Sequence, residues 1–227
     1  PMQDSTPASR DLMRAINRSI VLNAIKTLGP VGRTEVARQS GLSAATITAI
    51  VGELIDEQLV IEKAAGSSSG GRRPILLVIN PAGGYVVGVK LTEQEAIGAL
   101  TDLEANILAA HTVPLADRTP QAVVALLCRL VDDLIETRQG SRERLLGIGV
   151  GLAGIVDPAT GVLRQSPFLG WHDLPLRELV QAEMRVPVYV ENDVNTLTLA
   201  EKWFGAGQGI RDFIVLTVGR GIGMGIV

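Results

Sequence analysis

A chain of 227 residues has room for one large domain or two small ones, and 46% hydrophobic against 20% charged residues excludes a disordered polymer. One cysteine, Cys128, excludes an internal disulfide, and with two histidines it excludes a self-contained Cys/His zinc finger. Net charge is −3, but unevenly spread: residues 1–80 carry nine Lys/Arg against seven Asp/Glu, and residues 81–227 twelve against seventeen. A slightly basic head on an acidic body points weakly to a polyanion partner for the head. Aromatics are only 3%, so Leu, Val, Ile and Ala must build the core. Apolar runs fall far short of the ~18 residues a membrane span needs, and residues 1–10 lack the apolar stretch of a secretory signal. A cytoplasmic chain without membrane contact is expected.

The first element is a helix. Leu12, Ile16, Ile20, Val21, Ala24, Ile25 and Leu28 recur at the spacing of one buried face, and Gly29-Pro30 ends it. Thr34 is expected to cap a short second helix over 34–40, with Val36 and Ala37 inward. Gly41-Leu42-Ser43 makes a tight turn. Ser43 caps a third helix over 44–57, whose apolar face is Ile47, Ile50, Val51, Leu54 and Ile55. Two strands are predicted over 59–63 and 75–79. The Gly- and Ser-rich stretch between them, ending Gly70-Gly71-Arg72-Arg73-Pro74, has the composition of a long hairpin loop.

Helix, short helix, Gly-containing turn, helix and hairpin is the order of a winged helix-turn-helix, assigned to residues 1–80. The third helix leaves Ser43, Ala44, Ala45, Thr46, Thr48 and Ala49 near its outer N-terminal end. Small side chains there permit close approach to DNA, and their methyls and hydroxyls suit thymine and phosphate. No Arg or Lys lies on that helix, so the basic contacts must come from elsewhere. Arg72 and Arg73 in the wing suit a narrow minor groove, and Arg33 and Arg38 suit phosphates. The bland alternative is a small helical protein-interaction module with an unrelated Arg-Arg turn. The placement of Gly-Gly-Arg-Arg-Pro in the hairpin favours DNA.

Asn80-Pro81-Ala82-Gly83-Gly84 marks a boundary, after which a body over 81–227 begins. Strands over 85–91, 96–102 and 107–113 suggest a meander. An amphipathic helix follows over 120–138, then a buried strand over 145–152. A helix over 174–184, a strand over 186–191, a helix over 193–204 and a strand over 213–218 complete an α/β pattern with a largely parallel portion. Gly219-Arg220-Gly221-Ile222-Gly223-Met224-Gly225 then follows a buried strand. A glycine-rich turn in that position normally feeds another element, so the body is expected to be incomplete.

Glu191-Asn192-Asp193 ends a strand and opens a helix, the edge at which open α/β sheets bind ligands. Asn192 and Asp193 can bond sugar hydroxyls or merely cap the helix; the residues alone leave both open. Trp171 and His172 either line the same pocket or pack. His111 is expected to be structural or solvated, and Cys128 to fill the core.

Taken together, Gly71-Arg72-Arg73-Pro74, Gly151-Leu152-Ala153-Gly154-Ile155-Val156-Asp157, Ser166-Pro167-Phe168-Leu169-Gly170-Trp171, Glu191-Asn192-Asp193 and Gly219-Arg220-Gly221-Ile222-Gly223 resemble the ROK family of repressors, open reading frames and kinases. The likeness is greatest to its xylose- or N-acetylglucosamine-responsive repressors. It implies that residues 81–227 are the first half of an actin-like, ribonuclease-H-type fold with a sugar site at Asn192, Asp193, Phe168 and Gly154. In family kinases the Asp matching Asp193 is the general base. Phe168 stands where many members have Asn and either offers a stacking face instead or simply fills the core. The kinases also carry Asp followed by Gly-Gly-Thr at the first strand turn, where backbone amides meet phosphate. The matching segment here is Gly88-Val89-Lys90-Leu91-Thr92-Glu93: Lys90 replaces the Asp, and Thr92-Glu93 replaces the glycine pair. Glu93 is expected to repel a triphosphate. Arg220 stands where Thr is frequent. The resemblance thus implies a sugar-responsive DNA-binding repressor, not an enzyme, with no catalytic residue. The implied partners are operator DNA and a sugar effector, in a homodimer or homotetramer. The family's structural zinc uses a cysteine cluster and a histidine beyond Val227, so no metal ligand or cofactor is expected within 1–227. The alternatives are a ROK sugar kinase with an appended DNA-binding head, and a DNA-binding scaffold controlled by a protein partner.

Overall fold

The computed structural model describes residues 7–64 and 75–227, with side chains from residue 10 onward. The wing loop, including Arg72 and Arg73, lies outside the described residues. The chain divides into two compact units, Pro1–Gly84 and Tyr85–Val227.

The first unit consists of helices α1 (Pro7–Leu28), α2 (Arg33–Ser40) and α3 (Ala44–Asp56) and an antiparallel hairpin of β1 (Val60–Ala64) and β2 (Ile75–Ile79). Its core joins Val21, Ala24 and Ile25 of α1, Val36 of α2, and Ile47, Ile50, Val51 and Leu54 of α3 to Val60 and Leu77 of the hairpin. The chain ahead of α2 adds a one-residue third strand: Val31 N–H donates to the Leu77 carbonyl at 3.1 Å, and Leu77 N–H to that of Val31 at 2.7 Å.

Two expectations for this unit need correction. Thr34 does not cap α2. The tie to Leu77 holds Val31 extended, so the helix begins at Arg33 with Gly32 at its N-cap and no side-chain bond. Leu12, Ile16 and Ile20 are not buried either; they are 62%, 44% and 38% exposed. The shared core takes up only the C-terminal half of α1. Its N-terminal half is held to α3 by polar contacts, Arg14 to Glu53 and Arg18 to Glu57.

Strands β3 (Tyr85–Leu91), β4 (Glu95–Thr101) and β5 (Ile107–Pro114) form the expected antiparallel meander. Then follow α4 (Pro120–Thr137), β6 (Leu145–Leu152), β7 (Ile155–Asp157), β8 (Val162–Ser166), β9 (Trp171–Leu174), α5 (Leu176–Met184), β10 (Val188–Asn192), α6 (Asp193–Phe204), β11 (Ile214–Val218) and β12 (Ile222–Ile226). The main sheet has the order β10-β6-β3-β4-β5, and β3, β6 and β10 run parallel.

One face of this sheet is dry. Val87, Val89 and Leu91 of β3 and Ile148, Val150 and Leu152 of β6 pack against Val123, Leu127, Leu130 and Leu134 of α4 and against Leu176, Val180 and Met184 of α5. Gly98 admits the helix closely, since a Cβ there would lie 2.9 Å from Leu130 Cδ2. The opposite face bears the alternate residues Gly88, Lys90, Gly149 and Gly151. That face stays open because its glycines carry no side chains to fill it.

The small sheet β7-β8-β9 is absent from the sequence reading. Its strands are three to five residues long, and its first turn depends on the Asp157 carboxylate accepting from Ala159 N–H at 3.1 Å. Arg164 joins Asp157 and Asp173 across it. The glycine-rich segment 219–221 is the turn of the β11–β12 hairpin, whose outer face exposes Ile214, Leu216, Val218, Ile222, Met224 and Ile226. Among the described residues, no helix is long and apolar enough to cross a membrane.

Candidate functional site

The open face of the sheet, the N-terminal end of α6 and the β11–β12 hairpin enclose a cleft of about 1100 Å³. Gly88, Gly149 and Gly151 form part of its floor, and Lys90, Phe168, Asp193 and Arg220 line its walls. This is ample space for a sugar ring.

Asn192 and Asp193 stand at the carboxyl end of β10, at the mouth of the sheet. They do different work. Asn192 is the N-cap of α6: its Oδ1 accepts from Val194 N–H at 2.8 Å and Asn195 N–H at 3.3 Å. Its Nδ2 donates to the Gly154 carbonyl at 3.0 Å. The amide is therefore largely occupied within the chain, and the capping alternative holds for this residue. The Asp193 carboxylate, one residue on, has no hydrogen-bond or ion-pair partner among the described residues and lines the cleft. Both of its oxygens are available to accept from hydroxyls. Glu191 braces the turn, accepting from the backbone N–H of Asn192 at 2.7 Å and from Asn195 Nδ2 at 3.0 Å.

Gly154 does not line the cleft. It lies so near β8 that a Cβ would sit 2.5 Å from the Gln165 carbonyl oxygen. Its part is to present a carbonyl to Asn192. Trp171 and His172 are also outside the cleft wall. Trp171 is buried, with Nε1 donating to the Arg118 carbonyl at 2.8 Å, and His172 is exposed. Phe168 does line the cleft.

The first-strand turn has an altered chemistry. Thr92 Oγ1 accepts from Gln94 N–H at 3.2 Å and Glu95 N–H at 3.0 Å, and Thr92 N–H donates to the Glu95 carbonyl at 2.9 Å. A phosphate needs such amides unpaired, and these are spent. Lys90 lines the cleft beside this turn. The expected repulsion from Glu93 needs correction, because that carboxylate is paired with Arg220 from the β11–β12 turn. The Arg220 guanidinium also lies 5.0 Å from the centre of the Phe168 ring. Opposite charges in the two glycine-type turns were the only available sequence signal for this bridge, and their partnership depends on the fold.

Among the described residues, no three His, Cys, Asp or Glu side chains group to hold a metal. Cys128 is half-buried on α4 against the core, where burial pushes its thiol pKa up. His111 Nε2 lies 3.3 Å from Thr137 Oγ1.

In the first unit, Ser43, Ala44, Ala45 and Thr48 are exposed at the start of α3, and Thr46 is half-buried. Ser43 is the N-cap, its Oγ accepting from Thr46 N–H at 3.1 Å. Thr48 Oγ1 donates to the Ala44 carbonyl at 2.8 Å. Arg33 pairs with Glu62 of β1 at 2.6 Å, and Arg38 Nε with Glu35 at 2.8 Å. Both arginines must exchange a carboxylate for any phosphate they meet.

The ROK family profile matches residues 86–227. The chain belongs to the ROK family. It is similar to the xylose repressor of Caldicellulosiruptor bescii, at 33% identity over 95% of this chain and 54% of that protein. It is likewise similar to the DNA-binding transcriptional dual regulator NagC of Escherichia coli K12, at 34% identity over 96% of this chain and 53% of that protein. The chain thus spans about half the length of these curated ROK relatives. A solved ROK family transcriptional regulator, a homologue of the E. coli MLC protein, superposes over 95% of this chain and 55% of its own with a TM-score of 0.83 and 28% identity. A ROK family glucokinase from Streptomyces griseus, solved with glucose and AMPPNP, superposes over 63% of this chain and 44% of its own with a TM-score of 0.57 and 32% identity. The body accordingly has the ROK actin-like, sugar-kinase-type fold.

Proposed function

We propose that this chain is the DNA-reading and sugar-sensing portion of a cytoplasmic transcriptional repressor of carbohydrate genes, and that it is not an enzyme. The observation that carries this reading is the extent of the matches. The proteins named as repressors and regulators match head and body together, whereas the kinase matches the body alone.

The first unit acts as a winged helix-turn-helix. The exposed start of α3, from Ser43 through Thr48, enters the major groove. Arg72 and Arg73 of the wing enter the minor groove, and Arg33 and Arg38 hold phosphates. Two such heads, paired in a homodimer or homotetramer, read two half-sites of an operator. In the body, Asp193 accepts from sugar hydroxyls, Phe168 stacks on the ring, and Asn192 with Gly154 holds Asp193 in place. The amides spent on Thr92 support the loss of phosphoryl transfer. The family's structural zinc is assigned to the remainder of the protein.

A sugar that binds one conformation of the body better than another changes the operator affinity of the heads. The test is operator affinity of the intact protein, on fragments selected from random DNA, with and without D-xylose, N-acetylglucosamine and glucose. One sugar is expected to shift that affinity by about tenfold or more. A sugar that binds and leaves operator affinity unchanged overturns the coupling. Steady ATP-dependent turnover of a hexose, lost in Asp193→Asn, overturns the non-enzymatic reading in favour of the kinase.

A further inference from the structure

We propose that Arg220 decides which ligands the cleft admits: ion-paired with Glu93 and laid over Phe168, it shuts the nucleotide side and holds the Phe168 ring as a platform for a single uncharged sugar ring. The inference rests on the sugar reading of Asp193 given above.

Arg220 reaches from the β11–β12 turn to two other elements of the cleft wall. Glu93 belongs to the turn between β3 and β4, and Phe168 to the turn between β8 and β9. Its neighbours Gly219 and Gly221 have nothing within 4 Å of where a Cβ would stand, so the turn itself is loosely surrounded. The side chain is therefore placed by Glu93 and Phe168. A cation over one face of an aromatic ring leaves the other face for a ligand, and the C–H face of a sugar suits an aromatic surface. Asp193, in the same cleft, takes the hydroxyl edge. A ligand bearing phosphate must draw Arg220 from Glu93, which strands that carboxylate beside the incoming negative charge. It also meets the amides already bonded to Thr92.

The test uses the intact protein and calorimetry with D-xylose, N-acetylglucosamine and glucose, comparing wild type with Arg220→Ala, Arg220→Lys, Glu93→Gln and the Glu93→Gln/Arg220→Ala pair. Arg220→Ala and Glu93→Gln are each expected to weaken binding of the recognised sugar roughly three- to tenfold, and the pair no further than the worse single change. Arg220→Lys should fall between, keeping charge and losing the flat stack. Raising salt from about 50 to about 500 mM should weaken wild-type binding of this uncharged ligand and leave Arg220→Ala unaffected, a response that a merely structural role does not produce. Wild type should not bind Mg-ATP. Sugar binding that is indifferent to Arg220 and to salt overturns this inference alone, as does Mg-ATP binding by the wild type. If the wild type binds none of the sugars, the reading of the site itself falls, and this inference with it.

Discussion

Two adjacent residues, Asn192 and Asp193, differ in whether their side chains are occupied within the chain. Asn192 spends its side chain on α6 and Gly154, while Asp193 keeps its carboxylate for the cleft. Their substitutions should therefore separate. Asn192→Ala is expected to lower stability by about 1–2 kcal/mol through the lost cap, read as a lower denaturant midpoint. Asp193→Ala should leave that midpoint within about 0.5 kcal/mol and abolish sugar binding by calorimetry. Equal loss of stability in both variants would show that Asp193 is also structural. Thr92 gives a second residue-scale lesson. A hydroxyl in place of a glycine does more than add bulk: it takes two amides out of use, an effect its identity alone does not disclose.

Helix boundaries follow from local chemistry wherever a side chain does the capping, and shift wherever tertiary bonds decide. Ser43 caps α3 as expected because its hydroxyl reaches Thr46 N–H within one turn. Thr34 fails because the Val31–Leu77 tie starts α2 earlier. The end of α2 is local again: Gly41 takes the left-handed conformation at φ 70°, and its N–H donates to the Ala37 carbonyl. At the end of α5, Arg185 holds the same left-handed position without being glycine, at φ 57°. Arg185→Gly should relieve that conformation and raise the melting temperature by a few degrees, for a gain of about 1 kcal/mol. The α1–α3 pairing also has an acid limit. The hydrogen bond from the Arg18 guanidinium holds the Glu57 carboxyl below its ordinary value of 4.5, so the pair's stabilisation is full above 4.5 and is lost as pH falls below it through the lowered value. Arg18 is half-buried and Glu57 exposed, so water still screens the pair and its contribution is about 1 kcal/mol at most. The stability difference between wild type and Arg18→Gln should be present at neutral pH and vanish on acidification, as measured by urea midpoints.

For the whole molecule, the reading predicts a graded electrostatic response on DNA. Arg72→Ala and Arg73→Ala should each weaken operator binding and reduce the slope of log affinity against log salt by about 1, without altering sugar affinity. An unchanged slope would remove the wing from the DNA contact. Hydrophobic periodicity determined most elements of both units, since a buried face leaves a repeating trace in sequence: β2, β3, β6 and α6 match their expected limits. The break at Asn80–Gly84 and the cleft edge at residues 191–193 were legible for the same local reasons. Tertiary structure alone decided that the first half of α1 is exposed and that segments 155–157, 162–166 and 171–174 form a sheet. It also decided that Gly154 and Trp171 lie outside the cleft wall and that Glu93 is neutralised by Arg220, 127 residues away. The physical reason is range. Periodicity, caps and turns are set by neighbours a few residues apart, whereas an ion pair, a ring contact or a buried face depends on which distant segment the fold brings alongside.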